Sequence, residues 1–251
     1  MPGVFAPWAR LALSLRAPKL GQSALDVACG TGIGAQLLAL AVGPGGHVAG
    51  VDSDEGMLAV ARSVPGGAVA APIVWHQSSA QILPLEKASV DFVTCFEGIQ
   101  FFRDRAKAMS EMRRVLRPGG AVLFTIWGPL SRNPGHAAIA EALKHFVGAE
   151  AANLTPYSMT EPKDIRGLFL GAGFTKLAIE TSELILPVPS AKDFIDWMAA
   201  GAFSTRHNLA KLDPAKLVEF YAMIAERLAQ YAQAGDIGLP TCRNICIAEA
   251  P

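Results

Sequence analysis

Residues 25–35 read Leu-Asp-Val-Ala-Cys-Gly-Thr-Gly-Ile-Gly-Ala, a short apolar strand running into three alternating glycines and then into a helix expected over 36–42. Glycines at 30, 32 and 34 let the chain turn sharply without Cβ clashes, and they lay bare backbone beside a helix N-terminus. That is a loop built to hold a ligand. The glycines alone leave the ligand open, because Gly30, Gly32 and Ala35 also satisfy the dinucleotide pattern G-x-G-x-x-G/A. Asp26 narrows the choice. A carboxylate so close to the loop repels a phosphate and attracts a ligand that carries an ammonium and a sulfonium.

The remainder of the chain bounds the possibilities. Of 251 residues, 51% are hydrophobic and 18% charged, more apolar than an average soluble domain and in keeping with an enclosed pocket. Lysine plus arginine equal aspartate plus glutamate at 22 each, so the electrostatic footprint of a nucleic-acid or anionic-lipid binder is missing. The longest apolar runs, 35–42 and 121–130, fall far below the roughly 20 residues of a membrane span. The first residues have no basic run, and Pro7 and Arg10 interrupt the apolar stretch, so no signal peptide is expected. Cys29, Cys95, Cys242 and Cys246 form no C-x-x-C pair; they read as reduced, buried thiols of a cytoplasmic protein rather than disulfides or metal ligands.

Strand-like and helix-like segments alternate through the first half, the signature of βαβ units and a mainly parallel sheet. Strands are expected at 23–29, 47–52, 73–77, 90–96 and 121–127, after a first helix around Trp8, Leu11 and Leu15. The helix expected over 104–116 has Asp104 as cap, Ala108, Met109, Met112, Val115 and Leu116 at helical spacing, and Arg117-Pro118-Gly119-Gly120 as its stop. Farther on, 136–147 and 161–170 read as helices, 174–186 as a long extended segment and 242–249 as the last strand. About fifty residues before that strand are helical. There Ser190 and Asp193 resemble a capping box, and Asp213-Pro214 opens a helix with Leu217, Phe220, Tyr221, Ile224, Leu228 and Tyr231 on one stripe.

Asp52 ends the second strand about twenty residues after the glycines, where a carboxylate can accept from both hydroxyls of a ribose. This fits NAD and S-adenosylmethionine alike. Three more segments follow in order: Gln77-Ser78-Ser79-Ala80-Gln81-Ile82-Leu83-Pro84-Leu85, Asp91-Phe92-Val93-Thr94-Cys95-Phe96-Glu97, and Arg113-Arg114-Val115-Leu116-Arg117-Pro118-Gly119-Gly120. With these, residues 20–127 resemble the class I S-adenosylmethionine-dependent methyltransferases, particularly the group that includes the ubiquinone and menaquinone biosynthesis methyltransferases. The stretch after residue 128 matches only in general layout.

The resemblance implies a Rossmann-like α/β fold: a doubly wound, seven-stranded, mostly parallel sheet with helices on both faces and a helical lid inserted before the last strand. The chain is then a single domain, with core 20–186 and 241–251, N-terminal helix 1–18 and lid 187–238. The cofactor it implies is S-adenosylmethionine. Asp26, Ala28, Gly30 and Gly32 would line its aminoacyl end, Asp52 its ribose, and Met57 would lie near the adenine. Ser79 and Ala80 stand where the family often has Asp-Ala, so Ser79 offers an uncharged hydrogen bond to adenine. Cys95 and Phe96 would sit near the cofactor and face the substrate. Ala28 replaces a frequent glycine.

Methyl transfer from a sulfonium mainly needs alignment and exclusion of water, with a general base for an acidic hydroxyl or carbon nucleophile. Glu97, Gln100 and His136 are the candidates, after the fourth and fifth strands, where open α/β sheets bind ligands; the alternative for His136 is a solvent-facing residue at a helix start. His207 and the aromatics Trp8, Trp127, Trp197 and Phe203 either enclose an apolar substrate or pack. The expected reaction is methyl transfer to oxygen or carbon of a small, largely apolar acceptor, aromatic or polyketide-like. Neither a nucleic-acid partner nor a membrane span is expected, and a homodimer is admitted. The alternatives are a cofactor-binding enzyme of another reaction such as cyclisation, a non-catalytic cofactor-binding module, and an NAD-dependent oxidoreductase. Asp26 opposes the last.

Overall fold

The computed structural model describes residues 2–65, 67, 69–201 and 203–251, leaving aside the side chains at 2, 203 and 204, so the expectation for Phe203 lies outside the described residues. The strands are β1 (Ser23–Val27), β2 (His47–Asp52), β3 (Ile73–Gln77), β4 (Val90–Phe96), β5 (Leu116–Trp127), β6 (Thr175–Val188) and β7 (Ile237–Glu249), with the helix α1 (Pro2–Leu15) ahead of β1 and α6 (Pro162–Gly171) ahead of β6. They form one sheet in the order β3-β2-β1-β4-β5-β7-β6. β1 pairs in parallel with β2 and β4, β2 with β3, and β4 with β5. Next to β7, Gly119 N–H donates to Ala250 O and Ala250 N–H donates to Gly120 O, the exchange typical of antiparallel neighbours, so the sheet is mixed. The doubly wound, mostly parallel sheet expected from the sequence is the sheet observed. No helix among the described residues is long and apolar enough to cross a membrane.

Element boundaries differ from expectation where a backbone dihedral intervenes. β1 ends at Val27 because Ala28 turns to φ 56, outside strand geometry. The helix α2 (Ile33–Val42) begins three residues earlier than its apolar pattern suggests, directly after Gly32 at φ 85. α4 (Arg105–Val115) starts where Asp104 Oδ1 accepts from Lys107 N–H at 2.8 Å, and it buries Ala108, Met109, Met112 and Val115. β5 begins at Leu116 rather than 121, since Pro118 pushes Arg117 into extended geometry and Leu116 registers with Val90. β7 begins at Ile237, five residues ahead of the expected strand.

The chain divides into two compact units. The core unit comprises Phe5–Ile126, Met159–Glu180 and Asn244–Pro251; the helical unit comprises Met1–Val4, Trp127–Ser158 and Thr181–Arg243. In the core unit, Leu25, Val27, Val93, Met112 and Phe124 share one buried cluster with Phe169, whose ring meets Phe124 edge-on at 5.0 Å. In the helical unit, α5 (Pro134–Phe146) joins α7 (Ala191–Gly201), α8 (Phe203–Leu209) and α9 (Pro214–Leu228). Here the stripe on α9 packs: Phe220, Ile224 and Leu228 are buried, and Phe146 meets Phe220 at 6.1 Å. The segment 187–238 expected as a lid lies wholly within this unit, and so do 127–158 and 181–186, which the sequence assigned to the core.

Candidate functional site

The glycine loop is held open by its neighbours. Three close approaches explain why two of its glycines are glycines. A Cβ on Gly32 would come 2.7 Å from the Trp75 ring, and one on Gly34 would come 2.5 Å from Asp26 Oδ2 and 2.7 Å from the Phe96 ring. Gly30, at φ 53, has nothing within 4 Å of its would-be Cβ. It is therefore Gly30 that offers bare backbone to a ligand, while Gly32 and Gly34 admit the protein's own side chains. Gly34→Ala is expected to lose about 1–3 kcal/mol of stability through overpacking, read as a lower urea midpoint at unchanged slope.

Asp52 closes the loop from β2. Its Oδ2 accepts from Gly30 N–H at 2.8 Å and its Oδ1 from Asp54 N–H at 2.9 Å. Asp54 in turn caps α3 (Glu55–Ser63), taking Met57 N–H at 3.2 Å. Each Asp52 oxygen keeps a second lone pair. A cavity of about 170 Å³ lies beside it, bordered by Ala28, Asp52, Ser79 and Ala80 from the expected set. Val51, Ser53, Ser78, Gln81, Phe101, Phe102 and Arg103 complete the border and were not foreseen. The signal for the last three was available: they follow β4 directly, at the carboxyl end where open α/β sheets place ligands.

Asp26 lies beneath the loop, 2% exposed. Thr94 Oγ1 donates to its Oδ1 at 2.6 Å. Burial pushes its carboxyl up to about 7, against the lowering by Thr94 and the Ala35 N–H. The group is therefore half-ionised near neutrality, and a nearby cation would complete its ionisation.

Two expected ligand contacts are relocated by packing. Cys95, expected to face a substrate, is fully buried in the hydrophobic cluster at the end of β4, where burial pushes its thiol up. Phe96 is half-buried and its ring closes on Gly34. Past it, Glu97 adopts φ 54 and is 4% exposed; its N–H donates to Thr125 O at 2.9 Å and its Oε1 accepts from Thr125 Oγ1 at 3.3 Å. A left-handed non-glycine residue costs about 1–2 kcal/mol. Two stand together here, since Ala28 is at φ 56 and a Cβ on Gly98 would come 2.6 Å from Ala28 Cβ. Gln100 is buried in the turn that follows, with its carbonyl accepting from Arg105 Nη2 at 2.9 Å.

His136 belongs to the helical unit, on the first turn of α5, and it is buried rather than solvent-facing. Trp127 (4.3 Å), Phe194 (5.4 Å) and Tyr157 (5.5 Å) surround its ring. Burial and then the charge of Arg243 hold its pKa down at about 3, so it is neutral at physiological pH and a weak proton acceptor. Among the other residues considered for enclosing a substrate, Trp8 and Trp127 are buried, Trp197 is half-buried and His207 is exposed.

The sequence pattern of the methyltransferase domain family matches residues 25–124. The demethylmenaquinone methyltransferase of Staphylococcus aureus is 38% identical over 116 residues, 46% of this chain and 47% of that protein. The chain thus spans about half the length of the curated relatives it matches. Phosphoethanolamine N-methyltransferase 2 of Haemonchus contortus, solved with phosphomonomethylethanolamine and S-adenosylhomocysteine, is 25% identical with a TM-score of 0.60, over 98% of this chain and 52% of that one. A Bacillus halodurans protein provisionally described as a methyltransferase shares the fold at 19% identity and a TM-score of 0.61, over 97% of this chain and 98% of its own. The ordered motifs, the sheet and these matches together mark residues 25–124 as similar to the methyltransferase domain family, on a fold shared with solved methyltransferases.

Proposed function

We propose that the protein transfers a methyl group from S-adenosylmethionine to oxygen or carbon of a small, largely apolar acceptor. The observation that carries the cofactor half is Asp52: its carboxylate ties down Gly30 N–H and borders the cavity with a free lone pair on each oxygen. The residues present fit the group. At about 170 Å³ the cavity is smaller than the roughly 300 Å³ of the smallest usual ligand pockets, so it takes one part of the cofactor, the nucleoside. Asp52 would accept from the ribose hydroxyls, with Ser79 and Ala80 beside the base. The aminoacyl part would lie along Ala28 and the open side of Gly30, over Asp26, whose carboxylate attracts an ammonium. When bound, S-adenosylmethionine supplies a methyl group on a sulfonium whose leaving group is neutral.

Support for the acceptor class is the Staphylococcus aureus relative, a demethylmenaquinone methyltransferase by name. Of the candidate bases, Glu97 suits proton removal, since it is an acidic side chain held in a strained backbone at the carboxyl end of β4. His136 is too weakly basic for that task. Four buried free thiols favour a reducing compartment, and the cytoplasm is the proposed location.

Two measurements test this reading. S-adenosylmethionine or S-adenosylhomocysteine is expected to raise the melting temperature while NAD leaves it unchanged; the reverse would refute the cofactor assignment. Labelled methyl from the cofactor is expected to appear in members of a panel of phenols, quinones and polyketides. With such an acceptor in hand, Glu97→Gln is expected to lower kcat by about 10²–10⁴-fold at unchanged cofactor affinity. Full turnover in that variant would remove Glu97 from the base role.

A further inference from the structure

Between Phe92 and Phe96 the central strand β4 carries one polar side chain, Thr94, and it is fully buried. A hydroxyl in such a place destabilises the fold unless it is hydrogen-bonded. Its partner lies on the neighbouring strand: β1 and β4 run in parallel with Asp26 opposite Thr94, and Thr94 Oγ1 donates to Asp26 Oδ1 at 2.6 Å. The other acceptor within its reach, Leu25 O, is 3.5 Å away, so the hydroxyl proton goes to the carboxylate. A bond this short is characteristic of a hydroxyl donating to a charged oxygen.

The second oxygen of Asp26 points elsewhere. A Cβ on Gly34 would come 2.5 Å from Oδ2, and the Ala35 N–H of α2 also bonds the carboxyl. Asp26 is thus held between β4 and the first turn of α2, with Oδ2 toward Gly34. The titratable groups that face it are Asp52 on β2, Cys29 after β1 and Cys95 on β4; α2 contains none. Burial pushes both thiols up, so neither is charged at physiological pH. Among the described residues no cation pairs with Asp26. Burial opposes its ionisation most and the charge of Asp52 adds to that, while Thr94, ahead of the Ala35 N–H, favours it.

We propose that Thr94 is a positioning residue for the cofactor: its hydroxyl fixes and stabilises the Asp26 carboxylate, which then attracts the ammonium of S-adenosylmethionine. The inference rests on the reading that the aminoacyl part lies over Asp26, and it names the group that makes a buried carboxylate without a cationic partner usable there. Being fully buried, Thr94 acts through Asp26 and not on the ligand itself. Two consequences separate this role from packing. Loss of the hydroxyl leaves Asp26 protonated to higher pH, so it weakens binding most on the acidic side, where Asp26 must give up a proton to bind. It also matters only for ligands that carry the ammonium.

The test compares two ligands by calorimetric titration of the intact protein between pH 6 and pH 8: S-adenosylhomocysteine, which keeps the ammonium, and 5′-methylthioadenosine, which lacks the aminoacyl part. Thr94→Val is expected to bind S-adenosylhomocysteine about ten- to a hundredfold more weakly than wild type at pH 6, the worth of one hydrogen bond to a charged group, with the deficit shrinking toward pH 8. Its affinity for 5′-methylthioadenosine is expected to equal that of wild type. Thr94→Ser, which keeps the hydroxyl, is expected to recover most of the affinity together with the wild-type pH profile. Thr94→Ala removes the hydroxyl without adding bulk and gives the same test where the valine distorts β4. A profile of either hydroxyl-free variant that superposes on wild type would overturn the proposal, and so would an equal loss of both ligands, the mark of damaged packing. A wild-type profile that is flat while both ligands bind discards the roles of Asp26 and Thr94 and keeps the cofactor reading. Failure of wild type to bind either ligand discards that reading as well.

Discussion

Asp52→Ala is expected to weaken S-adenosylmethionine binding by at least a hundredfold in calorimetric titration and to abolish the ligand-induced rise in melting temperature. The carboxylate has two tasks. Toward the protein it accepts from Gly30 N–H at 2.8 Å and Asp54 N–H at 2.9 Å, which sets the open side of the glycine loop. Toward the cavity it offers one further lone pair on each oxygen to the two ribose hydroxyls. Hydrogen bonds to a charged group are worth about 1.5–3 kcal/mol each, so losing two costs about 3–6 kcal/mol, roughly 10²–10⁴ in affinity. Asp52→Asn keeps the shape and one acceptor oxygen and should fall between. Wild-type affinity in Asp52→Ala would remove this residue from the ribose role.

Asp26→Asn is expected to have a comparable effect on affinity and an opposite one on stability. In the unfolded chain the carboxyl ionises near 3.8, and in the folded protein burial delays this to about 7. Between those values the folded state binds more protons than the unfolded one. Stability therefore falls as pH rises through that window and is level above it, with a ceiling of about 4 kcal/mol for the whole loss. The asparagine variant lacks this slope and should unfold at higher denaturant than wild type at pH 8. Its cofactor affinity moves the other way. Removing one partner of a buried charge pair costs about 2–5 kcal/mol, or roughly 30- to 5,000-fold.

The pH dependence of affinity follows from the same carboxyl. Below about 7 the wild type must lose a proton to bind an ammonium, so affinity is expected to fall by up to about tenfold per pH unit as pH decreases. Above roughly pH 8 the α-amino group of the ligand itself becomes neutral, and affinity declines again. A flat profile in the wild type would show that Asp26 does not carry the ammonium.

Much of this was legible in the sequence because it was local. The parallel βαβ pattern is written in short apolar runs, since central strands of a parallel sheet are buried on both faces and admit little else. Asp52 was recognisable from its distance to the glycines, a spacing fixed by one helix and one strand. The helix α4 was legible from Asp104, its apolar repeat and the Pro-Gly-Gly that follows. What was not legible depended on approach between segments distant in sequence. Nothing in Gly-Thr-Gly-Ile-Gly says that Trp75 fills the space over Gly32, or that Phe96 and Asp26 fill the space over Gly34. Cys95 and Phe96 are neighbours at a strand end, and the alternation of strand side chains sends one into the core and the other toward the loop. For His136 the sequence left a candidate base and a solvent-facing residue both open, because its own helix start, Asn-Pro-Gly-His, shows no partner; the aromatic groups that bury it come from residues 127, 157 and 194.

By itself, then, the sequence determined the class of sheet, the ligand loop and the carboxylate that closes it, all of which rest on spacings of fewer than about thirty residues within single βαβ units. The tertiary structure alone decided which glycine of the loop has open space over it, that burial raises the Asp26 carboxyl to about 7, and that His136 is a neutral group among aromatic rings. The physical reason is that desolvation and close packing are properties of a site's whole surroundings. For Asp26 and His136 those surroundings are built from strands and helices far apart in the chain, and their effect on a proton or a Cβ exists only once the chain has folded.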